Sequence, residues 1–281
     1  TYHKAGGHFL CHYCGHTEPE GSRCPKCGGV LKRTGAGTQR IEETLGGLLP
    51  GARILRMDTD TTGTRGAYEK KLAAFARGEY DVMVGTQMIA KGLDFPNVTL
   101  AGVLNGDAGL GAGDYRSSER AFSLITQVVG RSGRGEKSGR AYIQTFDPEN
   151  PVIAYAAAQD YESFYRDEIE MRRNLLSPPF CDLLAIGVTG ADEGAVKRAA
   201  QRVCGVLREE TLDAAHIAMK LVGITPAAVY RVSGKYRYRV VVKCRMNRAF
   251  REVVARVLRR CGRERGFGGI HIFADVNGEL L

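Results

Sequence analysis

The sequence of 281 residues contains no run of about 20 consecutive apolar residues, the length a membrane-spanning helix requires. No membrane partner is expected. It also lacks internal repeats and low-complexity tracts, which sets aside solenoid and disordered classes. The chain opens on Thr1 rather than Met, and no charged-then-apolar leader follows. That start is expected of a processed, excised or truncated chain. There is no Gly-x-x-x-x-Gly-Lys-Ser/Thr loop and no Asp-Glu-x-His box, so the parts that hold a β-phosphate and Mg²⁺ are missing.

What is present reads as a globular chain, 43% hydrophobic and 25% charged, long enough for two ordinary domains. The net charge of +9 is unevenly placed. Residues 231–265 hold 13 Lys and Arg against Glu252 and Glu264, and the remainder is slightly acidic. A basic segment on a near-neutral body is the footprint of a polyanion partner, although a solvated basic face would look alike.

Eight cysteines fall into two classes. Cys181, Cys204, Cys244 and Cys261 are isolated in apolar or amphipathic surroundings and read as buried thiols. Cys11, Cys14, Cys24 and Cys27 form two Cys-x-x-Cys pairs. Clustered pairs in so long a chain point to a reducing cytoplasm and a metal rather than to disulfides. Two such turns supply the four thiolates of a closed, structural Zn²⁺ tetrahedron. Residues 1–30 have no periodic apolar pattern, and a metal would compensate for the missing core.

From about residue 35 short apolar runs alternate with helical stripes. Ile41, Leu45, Leu48 and Leu49 mark a helix that Thr38 is placed to cap, and Tyr68, Leu72, Phe75 and Ala76 mark a second. Strands are expected at 53–57, 81–84, 98–104 and 141–146, with a helix at 116–130. This order predicts an open parallel α/β sheet covered on both faces, with functional loops at the carboxyl ends of strands. A single helix is expected over 152–175. The β-α-β-β-α-β order that follows suggests a C-terminal α+β domain of ferredoxin-like type.

Two blocks carry chemistry. Residues 85–94, Gly-Thr-Gln-Met-Ile-Ala-Lys-Gly-Leu-Asp, follow a buried strand, and Thr86 and Lys91 supply donors where the backbone can approach a phosphate. In isolation an ordinary glycine-rich turn would look the same. Residues 127–135, Gln-Val-Val-Gly-Arg-Ser-Gly-Arg-Gly, set Arg131 and Arg134 among glycines at a helix end. Two guanidinium forks without intervening bulk suit dispersed phosphate charge.

The two blocks resemble motifs V and VI of superfamily 2 helicases. The run from Val84 to Leu110, with Arg116, Glu119, Arg120 and Gln127 to Arg134, resembles the primosomal replication-restart helicase family. Gly35 to Thr38, Arg56 to Thr61, Pro178-Pro179 and Gly234 to Arg237 add to the likeness, which covers essentially the whole chain. The resemblance implies a zinc-binding segment over 1–30, a RecA-like helicase lobe 2 with motifs IV to VI over 31–150, a helical connector over 151–176 and a DNA-binding domain over 177–281. It implies that Arg131 and Arg134 reach the γ-phosphate of ATP, with Arg134 as arginine finger, and that Gln127, Gly92, Asp94 and Gly130 help sense nucleotide. Thr86, Gln87 and Lys91 would couple that state to a DNA strand. The implied activity is ATP- and Mg²⁺-dependent 3′-to-5′ unwinding of DNA at stalled forks, by a cytoplasmic, nucleoid-associated bacterial monomer. Implied partners are forked and single-stranded DNA, single-strand-binding protein and other primosome proteins. The family's four Cys pairs hold two interleaved Zn²⁺ ions, so Cys11/Cys14 and Cys24/Cys27 would each be half of a different site. Asp275-Val-Asn277-Gly departs from the family's Asp-Val-Asp-Pro.

The basic segment has its own pattern. Lys235, Arg237 and Arg239 alternate with Tyr236, Tyr238, Val240 and Val242 along a strand. The tyrosines share a face with valines and read as core rather than as base-stacking platforms. Arg237 and Arg239 are expected to join Arg251, Arg256 and Arg259 in one basic surface that grips DNA backbone. The rival reading is a stand-alone zinc-stabilised DNA-fork binding module without ATPase activity. A zinc-ribbon RNA-binding protein is disfavoured by the two phosphate-sensing blocks.

Overall fold

A computed structural model of the chain describes residues 2–3, 8–10, 17–19, 21, 37–58, 61, 66–90, 95–110, 114–130, 139–212 and 218–278. The chain divides into two compact units: residues 1–19, 112–117 and 165–281, and residues 20–111 and 118–164.

Three short strands, β1 (Tyr2–His3), β2 (His8–Leu10) and β3 (Thr17–Pro19), form an antiparallel ladder in the order β1-β2-β3. Cys11 and Cys14 fall between β2 and β3 in the sequence. All four cysteines of the expected metal site lie outside the described residues.

The second unit begins with α1 (Thr38–Leu48), β4 (Ile54–Met57), α2 (Ala67–Ala76) and β5 (Val82–Gly85). It continues with β6 (Leu100–Val103), α3 (Ser117–Val129) and β7 (Arg140–Ile143). β4 pairs with β5 and β6 with β7, both parallel, as alternation of strands and helices predicts. The expected single sheet covered on both faces is not what forms among the described residues: the strands make two separate pairs. In β6 and β7 every second residue is exposed, with Leu100 at 62% and Tyr142 at 63%, so one side of that pair stays open. The α1 stripe is likewise only half realised. Ile41 and Leu45 are half-buried, but Leu48 and Leu49 are exposed.

The core of this unit is Phe122, Ile125, Ile153, Ala156 and Phe164, with the Phe122 and Phe164 rings stacked at 4.1 Å between centroids. These residues come from α3, from α4 (Pro151–Ala158) and from α5 (Tyr161–Asn174). The single helix expected over 152–175 is therefore two. Gln159 takes a left-handed conformation (φ 56°) and closes α4, and Asp160 caps α5 by accepting the Ser163 N–H at 3.0 Å.

The other unit is built on β8 (Asp182–Gly190), α6 (Glu193–Thr211), β9 (Met219–Val232), β10 (Lys235–Cys244), α7 (Arg248–Arg263) and β11 (His271–Val276). The strands lie in the order β11-β8-β10-β9, every neighbour antiparallel. Asp192 and Asn247 cap the two helices by accepting Ala195 and Phe250 N–H groups. One face of the sheet, carrying Leu184, Ile186, Val188, Tyr238, Val240 and Val242, packs on α6 and α7 through Val196, Val203, Phe250, Val253 and Val257. Tyr238 is buried there, and its hydroxyl donates to Glu193 Oε1 at 2.9 Å, which satisfies its polar tip. Tyr236 is partly buried against the same core. The tyrosines are core residues, as the alternation predicts.

Candidate functional site

The first candidate block sits where parallel strands end. Met57 pairs with Gly85, so the residues that follow β4 and β5, Asp58 and Thr86, emerge at one carboxyl edge. Gly85 cannot be larger: a Cβ there would stand 2.5 Å from the Met57 carbonyl oxygen and 3.0 Å from Ile89. The chain then turns through a short 3-10 segment, Gln87–Ala90. Thr86 and Gln87 are exposed, and their side chains hydrogen-bond no described residue, which leaves their donors open to a ligand. Lys91, Gly92 and Asp94 lie outside the described residues.

Beside Thr86 is a cluster that sequence reasoning did not place in the site. Thr38 donates its hydroxyl to Asp58 Oδ2 at 2.6 Å, and Thr61 N–H donates to Asp58 Oδ1 at 2.9 Å. Thr38 was expected to cap α1, but the cap position is Gly37 and no side chain caps the helix. Its hydroxyl is drawn away to the buried carboxylate 20 residues on. Arg56 Nε lies 3.0 Å from Asp58 Oδ2, off the N–H direction, so the contact is one of charge. Burial pushes the Asp58 carboxyl up, but the Thr38 and Thr61 donors and the Arg56 charge outweigh it and hold it below its ordinary value. A carboxylate engaged on every side braces the loop; it is not poised to move a proton. The available signal was Asp58 with Thr61 three residues on, a side-chain turn motif.

The second block follows α3. Ile125 is buried while Gln127 is exposed, its amide free of partners among the described residues. Gly130 ends the helix, its N–H donating to the Thr126 carbonyl at 2.9 Å. The Gln159 amide lies beside it, Nε2 standing 2.9 Å from where a Cβ on Gly130 would be. Arg131 and Arg134 lie outside the described residues. The β6 and β7 ends are tied by Asp107, which accepts from Thr145 Oγ1 and Phe146 N–H, both at 2.8 Å. The Phe146 bond is the main cause of the lowered Asp107 pKa.

Arg237 and Arg239 stand on the sheet face of the C-terminal unit that points away from α6 and α7. Arg239, partly desolvated, donates Nε to Thr225 Oγ1 at 3.0 Å and feels the Asp114 carboxylate. Arg237 makes no ion pair among the described residues. The two line a shallow groove with Ala185, Gly187, Thr189, Ala227, Phe273 and Asp275. Arg256 and Arg259 belong to α7, on the other side of the sheet from Arg237 and Arg239, and Arg251 lines a separate pocket there with Leu184, Val254, Ala274 and Val276. The single basic surface expected from the sequence does not form. The α7 arginines are also partly neutralised by α6: Arg256 pairs with Glu210 at 2.8 Å, and Arg260 pairs with Glu209, Glu210 and Glu264.

Set beside known proteins, residues 36–136 match the helicase conserved C-terminal domain, and residues 173–276 match the primosomal protein N C-terminal domain. The replication restart protein PriA of Bacillus subtilis (strain 168) is 40% identical over 282 residues, covering 100% of this chain and 34% of that protein. Proteins of the same name from Synechocystis sp. and Chlamydia pneumoniae are 40% and 41% identical over 86% of the chain, and 29% and 32% of theirs. The chain thus spans about a third of the length of the relatives it matches. A de novo designed protein of known structure aligns with 35% of the chain and 98% of its own at 12% identity and TM-score 0.26, too remote to bear on the fold. The two domain matches take in both candidate blocks and the basic strand, and the chain belongs to the replication restart protein PriA family, as its C-terminal region.

Proposed function

We propose that this chain is the C-terminal motor lobe and DNA-binding domain of an ATP-dependent 3′-to-5′ DNA helicase that recognises stalled replication forks and restarts replication by primosome assembly. The observation that carries this reading is the helicase C-terminal match over residues 36–136, followed without a gap in likeness by the family's own C-terminal domain. The open donors of Thr86 and Gln87 at a strand end, beside a braced Asp58, support the coupling role, with Lys91 as third member. The exposed Gln127 and the helix end at Gly130 support a nucleotide-facing site from which Arg131 and Arg134 reach phosphate, with Gly92 and Asp94 completing the sensor. ATP and Mg²⁺ would be held mainly by a nucleotide-binding lobe that this sequence does not encode, so a stand-alone fork-binding module is the less favoured reading.

Lobe 2 in this reading is RecA-like over 31–150, reached through the helical residues 151–176. The domain over 177–281 is a ferredoxin-like sandwich, supported by the strand order β11-β8-β10-β9 with both helices on one face. The Cys11, Cys14, Cys24 and Cys27 thiolates bind structural Zn²⁺. Single-strand-binding protein and primosome proteins are the protein partners. The protein in this reading is a cytoplasmic, nucleoid-associated monomer; among the described residues no helix is long and apolar enough to cross a membrane.

The test is catalytic. In a full-length protein carrying this chain, Arg134→Ala lowers kcat by about 10³-fold or more while ATP binding survives, as loss of an arginine finger does. The chain alone shows no ATPase. Wild-type turnover in the full-length variant would overturn the assignment of Arg134.

A further inference from the structure

The face of the C-terminal sheet turned away from α6 and α7 is buried at Leu183, Ala185 and Val241, and towards its β11 edge it carries an aromatic ring that the core does not use. β11 alternates, so Ile272 turns to the core while His271 and Phe273 turn to the opposite side. Across the sheet Phe273 is level with Gly187 of β8, Gly187 with Arg239 of β10, and Arg239 with Thr225 of β9. The next row on the same face is His271, Thr189 and Arg237. Gly187 has no side chain, and the Phe273 ring lies over it: a Cβ there would be 2.3 Å from the ring's Cζ. The ring is therefore laid down on the sheet by a glycine, yet it remains 39% exposed. Ala185, Gly187, Thr189 and Ala227 keep the floor low around it, with the two arginines alongside.

The chemistry of this row selects its occupant. A flat ring on a flat floor offers a π-face, and the two guanidinium groups offer phosphate donors two strands across the sheet from it. Two acids lie near these arginines: Asp275, whose carboxylate is folded against Gly278, and Asp114, whose charge acts on Arg239. Duplex DNA hides its base faces inside the stack and cannot use the ring, whereas an unpaired base can. An acidic peptide would satisfy the arginines and leave the ring without a planar partner.

We propose that this face is a seat for single-stranded DNA, with Phe273 stacking an unpaired base and Arg237 and Arg239 holding the flanking phosphates. The inference rests on the reading of this unit as DNA-binding and adds strand state and a stacking residue to it. The whole chain is titrated against a fluorescent oligo-dT and a blunt duplex of equal length. Phe273→Leu covers Gly187 without presenting an aromatic face, and an unchanged melting temperature shows that the fold is intact. It should weaken oligo-dT binding roughly tenfold, the order expected for one lost base stack, with the duplex unaffected. Arg237→Gln with Arg239→Gln should weaken both and flatten the oligo-dT salt slope by about 0.7 per lost phosphate contact. Equal weakening of both DNAs by Phe273→Leu, or no weakening of either, overturns the stacking seat while leaving the DNA-binding reading intact. Failure of the unaltered chain to bind either DNA overturns that reading as well. Tighter binding of a poly-glutamate peptide than of oligo-dT would show the groove to be a peptide site.

Discussion

Asn277→Asp restores the residue of the family's Asp-Val-Asp-Pro pattern, yet it should damage this chain. Asn277 sits just past β11 in a left-handed conformation (φ 54°) that asparagine tolerates well. Its Oδ1 accepts the Leu183 N–H at 2.8 Å, and its Nδ2 donates to Asp182 Oδ1 at 2.8 Å. The substitution keeps the acceptor but points a second oxygen at the Asp182 carboxylate. Losing a hydrogen bond to a charged group costs roughly 1.5–3 kcal/mol. Two unit charges about 4 Å apart repel by about 4 kcal/mol at an effective dielectric near 20, and solvent screens most of that for half-buried groups. The expected net loss at neutral pH is about 2–4 kcal/mol.

The pH dependence has a definite sign. In the native chain the Met246 N–H and then the Asn277 amide hold the Asp182 carboxyl below its ordinary value. Its contribution to stability is present above the unfolded pKa of about 3.9 and is lost as pH falls through the lower folded value. In the variant two facing carboxylates share a proton, which raises the folded pKa of the pair above the unfolded one. The deficit is then greatest at neutral pH and shrinks as pH falls towards about 4. Hydrogen exchange of the peptides spanning β8 and β11 reads this locally, without requiring both units to unfold together. Asn277→Ala serves as control, with a deficit that stays level from pH 7 down to about 4 and shrinks only below it, as Asp182 itself protonates. Equal protection of variant and native chain at pH 7, or a deficit in the Asp variant that persists at low pH, would refute the reasoning.

Two further outcomes concern cysteine. Burial pushes the Cys244 thiol up to about 12 and the Cys261 thiol up to about 11, so iodoacetamide at pH 8 should leave both unmodified until the chain is denatured; full labelling in the native state, read by peptide mapping, would contradict their burial. Metal analysis after gel filtration in chelator should give close to one Zn²⁺ per chain if Cys11, Cys14, Cys24 and Cys27 close on one ion, and a substoichiometric value if each pair is half of another site, whereas two tightly held ions would contradict both arrangements.

Where local pattern decided structure, the sequence was readable. β10 runs from Lys235 to Cys244 as its alternation predicts, and α7 buries Phe250, Val253, Val254, Val257 and Cys261, which recur in the sequence at helical spacing. The break at Gln159 was hidden because Ile153, Ala156 and Phe164 feed one core on both sides of it, so the apolar signal never lapses. The Thr38–Asp58 contact was hidden for the opposite reason: it joins residues far apart in sequence, and a threonine before a helix has a simpler local use. The basic surface failed at a third level. Alternation tells which residues share a face, but not which faces of two elements end up side by side. Phe273 lay in an alternating strand and was legible as outward-facing; what made it a platform was Gly187, on a different strand.

The pairing of α7 arginines with α6 glutamates changes how the C-terminal unit is met from a distance. Within a Debye length of about 8 Å at physiological salt, interleaved Arg256, Arg260, Glu209 and Glu210 present small opposed dipoles, whose fields cancel faster than that of a lone charge. Arg237, with no described acid in contact, keeps its full field on the opposite side of the sheet. An approaching polyanion therefore meets the fields of Arg237 on the sheet side and of Arg259 and Arg263 on the helix side, and little from the paired arginines between α6 and α7. Where that field survives is set less by how many arginines the chain carries than by where its glutamates lie.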